Sequence, residues 1–204
     1  MGTEQAVLDY VRAKAPRNDP DAILAAVDQF GRRGPWMMNL GRRKGQVLAA
    51  AIDGVRAHRI LELGSYFGYS AILMASRIGA DGELITIDAD RTRHEVSRQM
   101  IEYAGLADRV TLLYGRAEKV IPKLKGPFDL VFIDHYGENY LQDLELIEDH
   151  DLLRPGAAVV ADNVVAHRPT VDDYLEHVRA GGNYQSTLHK VGGDGVEVSI
   201  WVGA

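Results

Sequence analysis

Apolar and polar residues follow two different rhythms along this chain, and the change between them falls near residue 58. Before it, Ala6, Leu8, Val11 and Ala13, then Ile23, Leu24, Val27 and Phe30, recur close to helical spacing, which predicts amphipathic helices. Asn18-Asp19-Pro20-Asp21 supplies a cap and an early proline for the second of them. The segment from Gly31 to Gly34 is expected to end that helix, and a third is expected over 44–55. After residue 58, short β-rich runs at 59–63, 84–88, 110–114, 130–133 and 158–161 alternate with helical stretches at 69–78, 92–104, 117–124, 140–150 and 171–178. Strictly alternating strands and helices predict βαβ units, a parallel sheet and helices on both of its faces. The end of the chain breaks this rule. Runs at 184–191 and 196–202 flank Gly192-Gly193-Asp194-Gly195, the pattern of a hairpin, so the sheet is expected to close on an antiparallel strand. The predicted architecture is therefore α/β: a doubly wound, mostly parallel sheet with a C-terminal antiparallel hairpin. The N-terminal helices are expected to cap the same domain.

Two of the predicted strands end on acids. The apolar run 128–133 stops at Asp134-His135, and 157–161 stops at Asp162-Asn163. Carboxyl ends of strands are where open α/β sheets bind ligands. Two carboxylates and a carboxamide oxygen suit a hard divalent cation, Mg²⁺ foremost, with Mn²⁺ and Ca²⁺ accepting the same donors. His135 is read as a pocket or packing residue, because an all-oxygen site has no need of imidazole. The first strand runs into Leu61-Glu62-Leu63-Gly64-Ser65-Tyr66-Phe67-Gly68-Tyr69-Ser70. Gly64 and Gly68 allow a ligand close to the backbone, but their spacing is not the G-x-G-x-x-G of dinucleotide folds. Asp88 ends the second strand, where an acid takes ribose hydroxyls. A glycine turn without a pyrophosphate cradle, followed by such an acid, suits S-adenosylmethionine, with Glu62 placed to meet its ammonium group.

Composition narrows the picture. A chain of 204 residues fits one domain with a sizeable core. The net charge of −6 leaves no basic surplus for nucleic acid. The absence of cysteine excludes disulfides and thiolate metal sites. No apolar run reaches membrane-spanning length and no signal-peptide pattern opens the chain, so a cytoplasmic protein without a membrane partner is expected. Oligomeric state is not readable.

Taken together, these stretches resemble the Mg²⁺-dependent, S-adenosylmethionine-using catechol O-methyltransferases from Trp36 to the C-terminus. The matching pieces are Met38-Asn39-Leu40-Gly41 with Lys44-Gly45, Glu62-Leu63-Gly64 through Gly68-Tyr69-Ser70, and Leu84 to Asp88. Further on they are Phe132 to His135, Leu152 to Gly156, Ala161 to Val164, and Asp194 to Glu197. The resemblance implies a seven-stranded, Rossmann-like methyltransferase core over 58–204 with a helical cap over 1–57. It implies metal ligands at Asp134, Asp162 and Asn163. It implies a cofactor pocket of Met38, Leu40, Glu62, Gly64, Tyr66, Ser70, Asp88, Ala117, Glu118, Asp134 and His135. Glu197 and Asn163 are implied to meet the diphenol, with Trp36, Tyr136 and Val196 as its walls.

The chain also departs from that family. Asp88 stands where Glu is usual, Ala117-Glu118 where Ser-Gln is usual, and Tyr136 where Trp is usual. The family's base lysine, three residues after the first metal aspartate, is here Gly137. The proton acceptor is then expected to be His167, which stands where the family tends to have Pro, or the metal alone suffices. The expected activity is methyl transfer to one hydroxyl of a catechol or of another vicinal-hydroxyl aromatic. A protein that binds S-adenosylmethionine without catalysis is the alternative that Gly137 keeps open.

Overall fold

The computed structural model describes residues 3–33, 37, 39–166 and 169–203. Three helices come first: α1 (Thr3–Lys14), α2 (Pro20–Arg33) and α3 (Gly41–Val55). Strands and helices then alternate as β1 (Arg59–Leu63), α4 (Tyr69–Arg77), β2 (Glu83–Asp88), α5 (Arg91–Tyr103), β3 (Val110–Tyr114), α6 (Ala117–Val120), β4 (Phe128–Ile133), α7 (Tyr140–Asp149), β5 (Leu153–Ala161) and α8 (Asp172–Ala180). The hairpin β6 (Tyr184–Val191) and β7 (Asp194–Trp201) closes the chain. The seven strands form one sheet in the order β3-β2-β1-β4-β5-β7-β6. All pairings are parallel except those of β7 with β5 and β6.

Side chains alternate across the pleat, and this divides the core into two layers. Ile60, Leu130, Phe132, Ala158 and Val160 face one way and pack with α1 to α5. Leu61, Leu63, Val131, Ile133, Val159 and Ala161 face the other and pack with α6, α7 and α8. The central strands are apolar on both faces because helices cover both. The N-terminal helices join the first layer directly through Val7, Leu8, Val11, Ile23, Leu48 and Ile52.

Several boundaries differ from expectation. In α1 the buried stripe is Val7, Leu8 and Val11, continued by Ala15 just beyond the helix end, while Ala13 is exposed. Helix α2 ends at Arg33, inside the Gly31–Gly34 segment expected to end it, although Gly31 itself is still helical. A Cβ on Gly31 would lie 3.0 Å from the Met37 methyl, so this glycine makes room for packing. The helix after β3 is interrupted after Val120, and Ile121–Lys123 forms a 3₁₀ turn with Pro122 near its start. Strand β5 begins earlier than expected and accommodates exposed Pro155 and Gly156 in a bulge opposite β4. Asp194 and Gly195 belong to β7, which shortens the turn to Gly192-Gly193.

Candidate active site

The strand order reverses direction between β1 and β4, the switch point where such sheets bind ligands. Backbone hydrogen bonds carry the ladder just past the strand ends. Gly64 N donates to Ile87 O at 2.9 Å, Asp134 N to Leu63 O at 2.9 Å, and Asp162 N to Ile133 O at 3.0 Å. Residues distant in sequence, Asp88, Gly64, Asp134 and Asp162, therefore stand along one edge.

The glycine loop has little freedom at Gly64. Its φ is +100°, and a Cβ there would lie 2.3 Å from the Asp134 carbonyl oxygen. This close approach brings the loop against the end of β4. Gly68, with φ +90°, starts α4. Asp88 is turned into the loop: one carboxylate oxygen accepts the backbone N–H groups of Ser65 at 3.1 Å and Tyr66 at 3.0 Å, and the other accepts that of Asp90 at 2.8 Å. The short side chain thus braces the turn, and a ribose would have to share those oxygens with the loop amides. Tyr66, at φ +48°, lies under the Arg93 guanidinium, 5.2 Å from its ring centre.

Glu62 lies beneath this loop and is fully buried. Its two oxygens accept the hydroxyls of Ser70 and Thr86, so both are already paired within the chain. Burial, aided by the Asp88 charge and opposed by the two hydroxyls, pushes Glu62 up to about 7 from 4.5. Between those values the folded protein keeps a proton that the unfolded chain has released. Stability therefore falls as pH rises from about 4.5 to about 7, by roughly 3 kcal/mol at most. In chemical melts at pH 5 and pH 8, Glu62→Gln is expected to flatten that difference; an unchanged slope would remove Glu62 as its source.

Beyond β4 and β5, oxygens gather around a cation of the chain's own. Lys44 Nζ lies 2.8 Å from Asp162 Oδ1, 2.8 Å from Asn163 Oδ1 and 2.7 Å from Asp194 Oδ2. Asn163, at φ +61°, turns its amide N–H₂ to Asp134 Oδ1 at 2.9 Å. Burial and the neighbouring Asp162 charge raise Asp134 well above the usual carboxylate range. Burial also raises Asp162, against the pull of Lys44. Burial works against the Lys44 charge, but Asp162 and Asp194 outweigh it and hold the ammonium above its ordinary value. Among the described residues no three His, Cys, Asp or Glu side chains cluster as a metal site. The donor set is two carboxylates and one carboxamide, all oxygen, which fits a hard ion whose coordination is completed by water or substrate. Lys44 and Asp194 were not singled out from sequence. Both lie in stretches that carried the family resemblance, but only the fold joins α3 to the start of β7.

His135 Nε2 is 2.6 Å from buried Asp143 Oδ2, and its ring stacks on Tyr140 at 5.3 Å, which fixes the ring by packing and an ion pair. Leu40 is buried just before α3, Ala117 is buried at the start of α6, Glu118 pairs with Arg116 at 2.8 Å, and Tyr136 is exposed. Glu197 is not joined to the oxygen cluster by its carboxylate. Its backbone pairs with Ala161, but Arg179 takes both oxygens at 2.7 Å and leaves the residue 1% exposed. Val196 is wholly in the core. A Cβ at Gly137 would lie 2.8 Å from Thr170 Oγ1 and 2.9 Å from Val171 Cγ1, so no space is kept there for a larger side chain. Trp36, Met38 and His167 lie outside the described residues. A cleft of about 730 Å³, lined by Arg43, Val47, His189, Val198 and Ile200 among others, lies between α3 and the β7–β6 face, away from these strand ends.

A family model described as O-methyltransferase matches residues 18–180. This chain belongs to that O-methyltransferase family. The O-methyltransferase is 38% identical to catechol O-methyltransferase B of Danio rerio, over 98% of this chain and 79% of that one. It is 37% identical to catechol O-methyltransferase of Mus musculus, over 90% of this chain and 71% of that one. Its fold superposes at a TM-score of 0.79 on the O-methyltransferase TomG of Streptomyces achromogenes, solved with S-adenosylmethionine, at 27% identity over the whole of both chains. The protein is thus an S-adenosylmethionine-dependent O-methyltransferase of the catechol O-methyltransferase type. Among the described residues no helix is long and apolar enough to cross a membrane.

Proposed function

We propose that this O-methyltransferase moves the methyl group of S-adenosylmethionine onto one hydroxyl of a catechol, or of another aromatic with vicinal hydroxyls, beside a divalent cation held by Asp134, Asp162 and Asn163. The observation that carries this reading is the meeting of those three oxygen-bearing side chains at the ends of β4 and β5, against the glycine loop. The ammonium already resting on Asp162 and Asn163 at 2.8 Å supports cation-binding chemistry at those oxygens. When bound, a hard ion lowers the proton affinity of a phenol, whose free pKa is about 10. S-adenosylmethionine supplies the electrophilic carbon.

The chain's own contribution is mainly placement. Gly64 lets the loop close against the end of β4, Asp88 braces that loop, and Asp143 and Tyr140 hold His135 in place. Alignment of this kind is the main source of acceleration for a direct displacement. The phenolic proton has no lysine to accept it at Gly137, and we assign it to His167 or directly to solvent. Glu197 would meet a second hydroxyl only by giving up a bond to Arg179; its burial favours a part in fixing α8 against β7. The test is methyl transfer from labelled S-adenosylmethionine to matched vicinal diphenols and monophenols. Product from diphenols alone is expected. Equal transfer to monophenols, or none to any diphenol, would contradict the reading.

A further inference from the structure

We propose that Lys44 competes with the divalent cation for the oxygens of Asp162 and Asn163, and that Asp194 retains its ammonium when the ion binds. The inference rests on the metal reading above. The ammonium donates hydrogen bonds to Asn163 Oδ1 and Asp194 Oδ2 and forms an ion pair with Asp162 Oδ1, all at 2.7–2.8 Å. A Mg²⁺ ion binds oxygen at about 2.0–2.1 Å. An ion that close to oxygens already shared with Nζ would stand near the ammonium, and the two positive charges repel. The lysine, on its flexible stem, is the partner able to withdraw.

The surroundings supply the receiving position. The Asp194 Oδ1 atom accepts the backbone N–H groups of Val165 at 3.2 Å and Ala166 at 2.8 Å, so this carboxylate is fixed while its Oδ2 faces Lys44. Lys44 has no alternative close to it in sequence. From Gly31 to Ile52 the chain carries Arg32, Arg33, Arg42, Arg43 and Lys44 but no acid. The ammonium can therefore pivot on Asp194, surrendering Asp162 and Asn163 without becoming unpaired. Lys44 thereby sets the apparent affinity for the ion and keeps the carboxylates compensated before it enters.

Mn²⁺ binding followed by electron paramagnetic resonance tests this without turnover. Lys44→Gln, which keeps most of the side chain's length but not its charge, is expected to lower the Mn²⁺ Kd at least about tenfold, about 1.4 kcal/mol. Arg43→Gln removes the same charge one residue away and is expected to stay within about twofold of the parent. Equal or weaker binding by Lys44→Gln, or the same gain in Arg43→Gln, would overturn the exchange. No Mn²⁺ uptake by either the parent or Lys44→Gln would overturn the metal reading along with it. A second measurement needs no variant. Acetylation of Lys44 in the parent protein, read by mass spectrometry, is expected to speed up severalfold when Mg²⁺ is added; an unchanged rate contradicts the exchange.

Discussion

Asp162→Asn is expected to cut methyl transfer at saturating cofactor by about 10³-fold, roughly 4 kcal/mol of transition-state stabilisation, while leaving the protein folded. The substitution removes one full charge from the proposed ion site and keeps an oxygen of similar reach. It also removes a repulsion, since the Asp162 charge is among the forces holding Asp134 above the usual carboxylate range. Asp194 still pairs with Lys44. Thermal stability without added metal is therefore expected to hold or rise, and binding of S-adenosylhomocysteine by calorimetry to stay within a few-fold. Activity lost together with stability would point to a structural role. Activity within about threefold of the parent would remove Asp162 from the chemistry.

Gly64→Ala is expected to be the most damaging glycine substitution tested for stability. Two costs combine there. The φ of +100° is one that a side chain rarely adopts, and the new methyl would lie 2.3 Å from the Asp134 carbonyl oxygen, a backbone atom with little room to retreat. A loss of at least about 3 kcal/mol is expected, which for a chain of this size is about 6–12 °C in Tm. Gly156→Ala isolates the first cost: φ is +81° there, yet nothing lies within 4 Å of the added carbon. Its expected loss is about 1–2 kcal/mol. Equal melting of the two variants would show that contact with the end of β4 matters little.

The framework was legible because the signals were local. Alternating apolar runs and helical stretches specify a doubly wound sheet, and acids directly after such runs fall at strand ends wherever the strands lie. That is why Asp134, Asp162 and Asn163 were named and are found together. What escaped notice depends on pairing across the fold. Lys44 and Asp194 are 150 positions apart and meet only because α3 packs over the sheet beside β7. Arg179 and Glu197 are joined through the packing of α8, so the Glu197 backbone stood in the expected place while its carboxylate was already taken. Asp88 lies at the predicted strand end, but the direction of its carboxylate follows from the amides of Ser65 and Tyr66. Gly31 admits Met37 from within the last turn of α2, a role that leaves no trace in local spacing. Gly137 was visible as a missing lysine; the reason no lysine fits is the approach of Thr170 and Val171.

The proposed role of an ion held by Asp134, Asp162 and Asn163 is to make methyl transfer to a diphenol possible. It is tested most directly by following transfer of the labelled methyl group to a simple catechol in EDTA and again after Mg²⁺ is restored in excess. Product formation is expected to collapse in EDTA and to return with the metal. Turnover that continues undiminished in EDTA would contradict it.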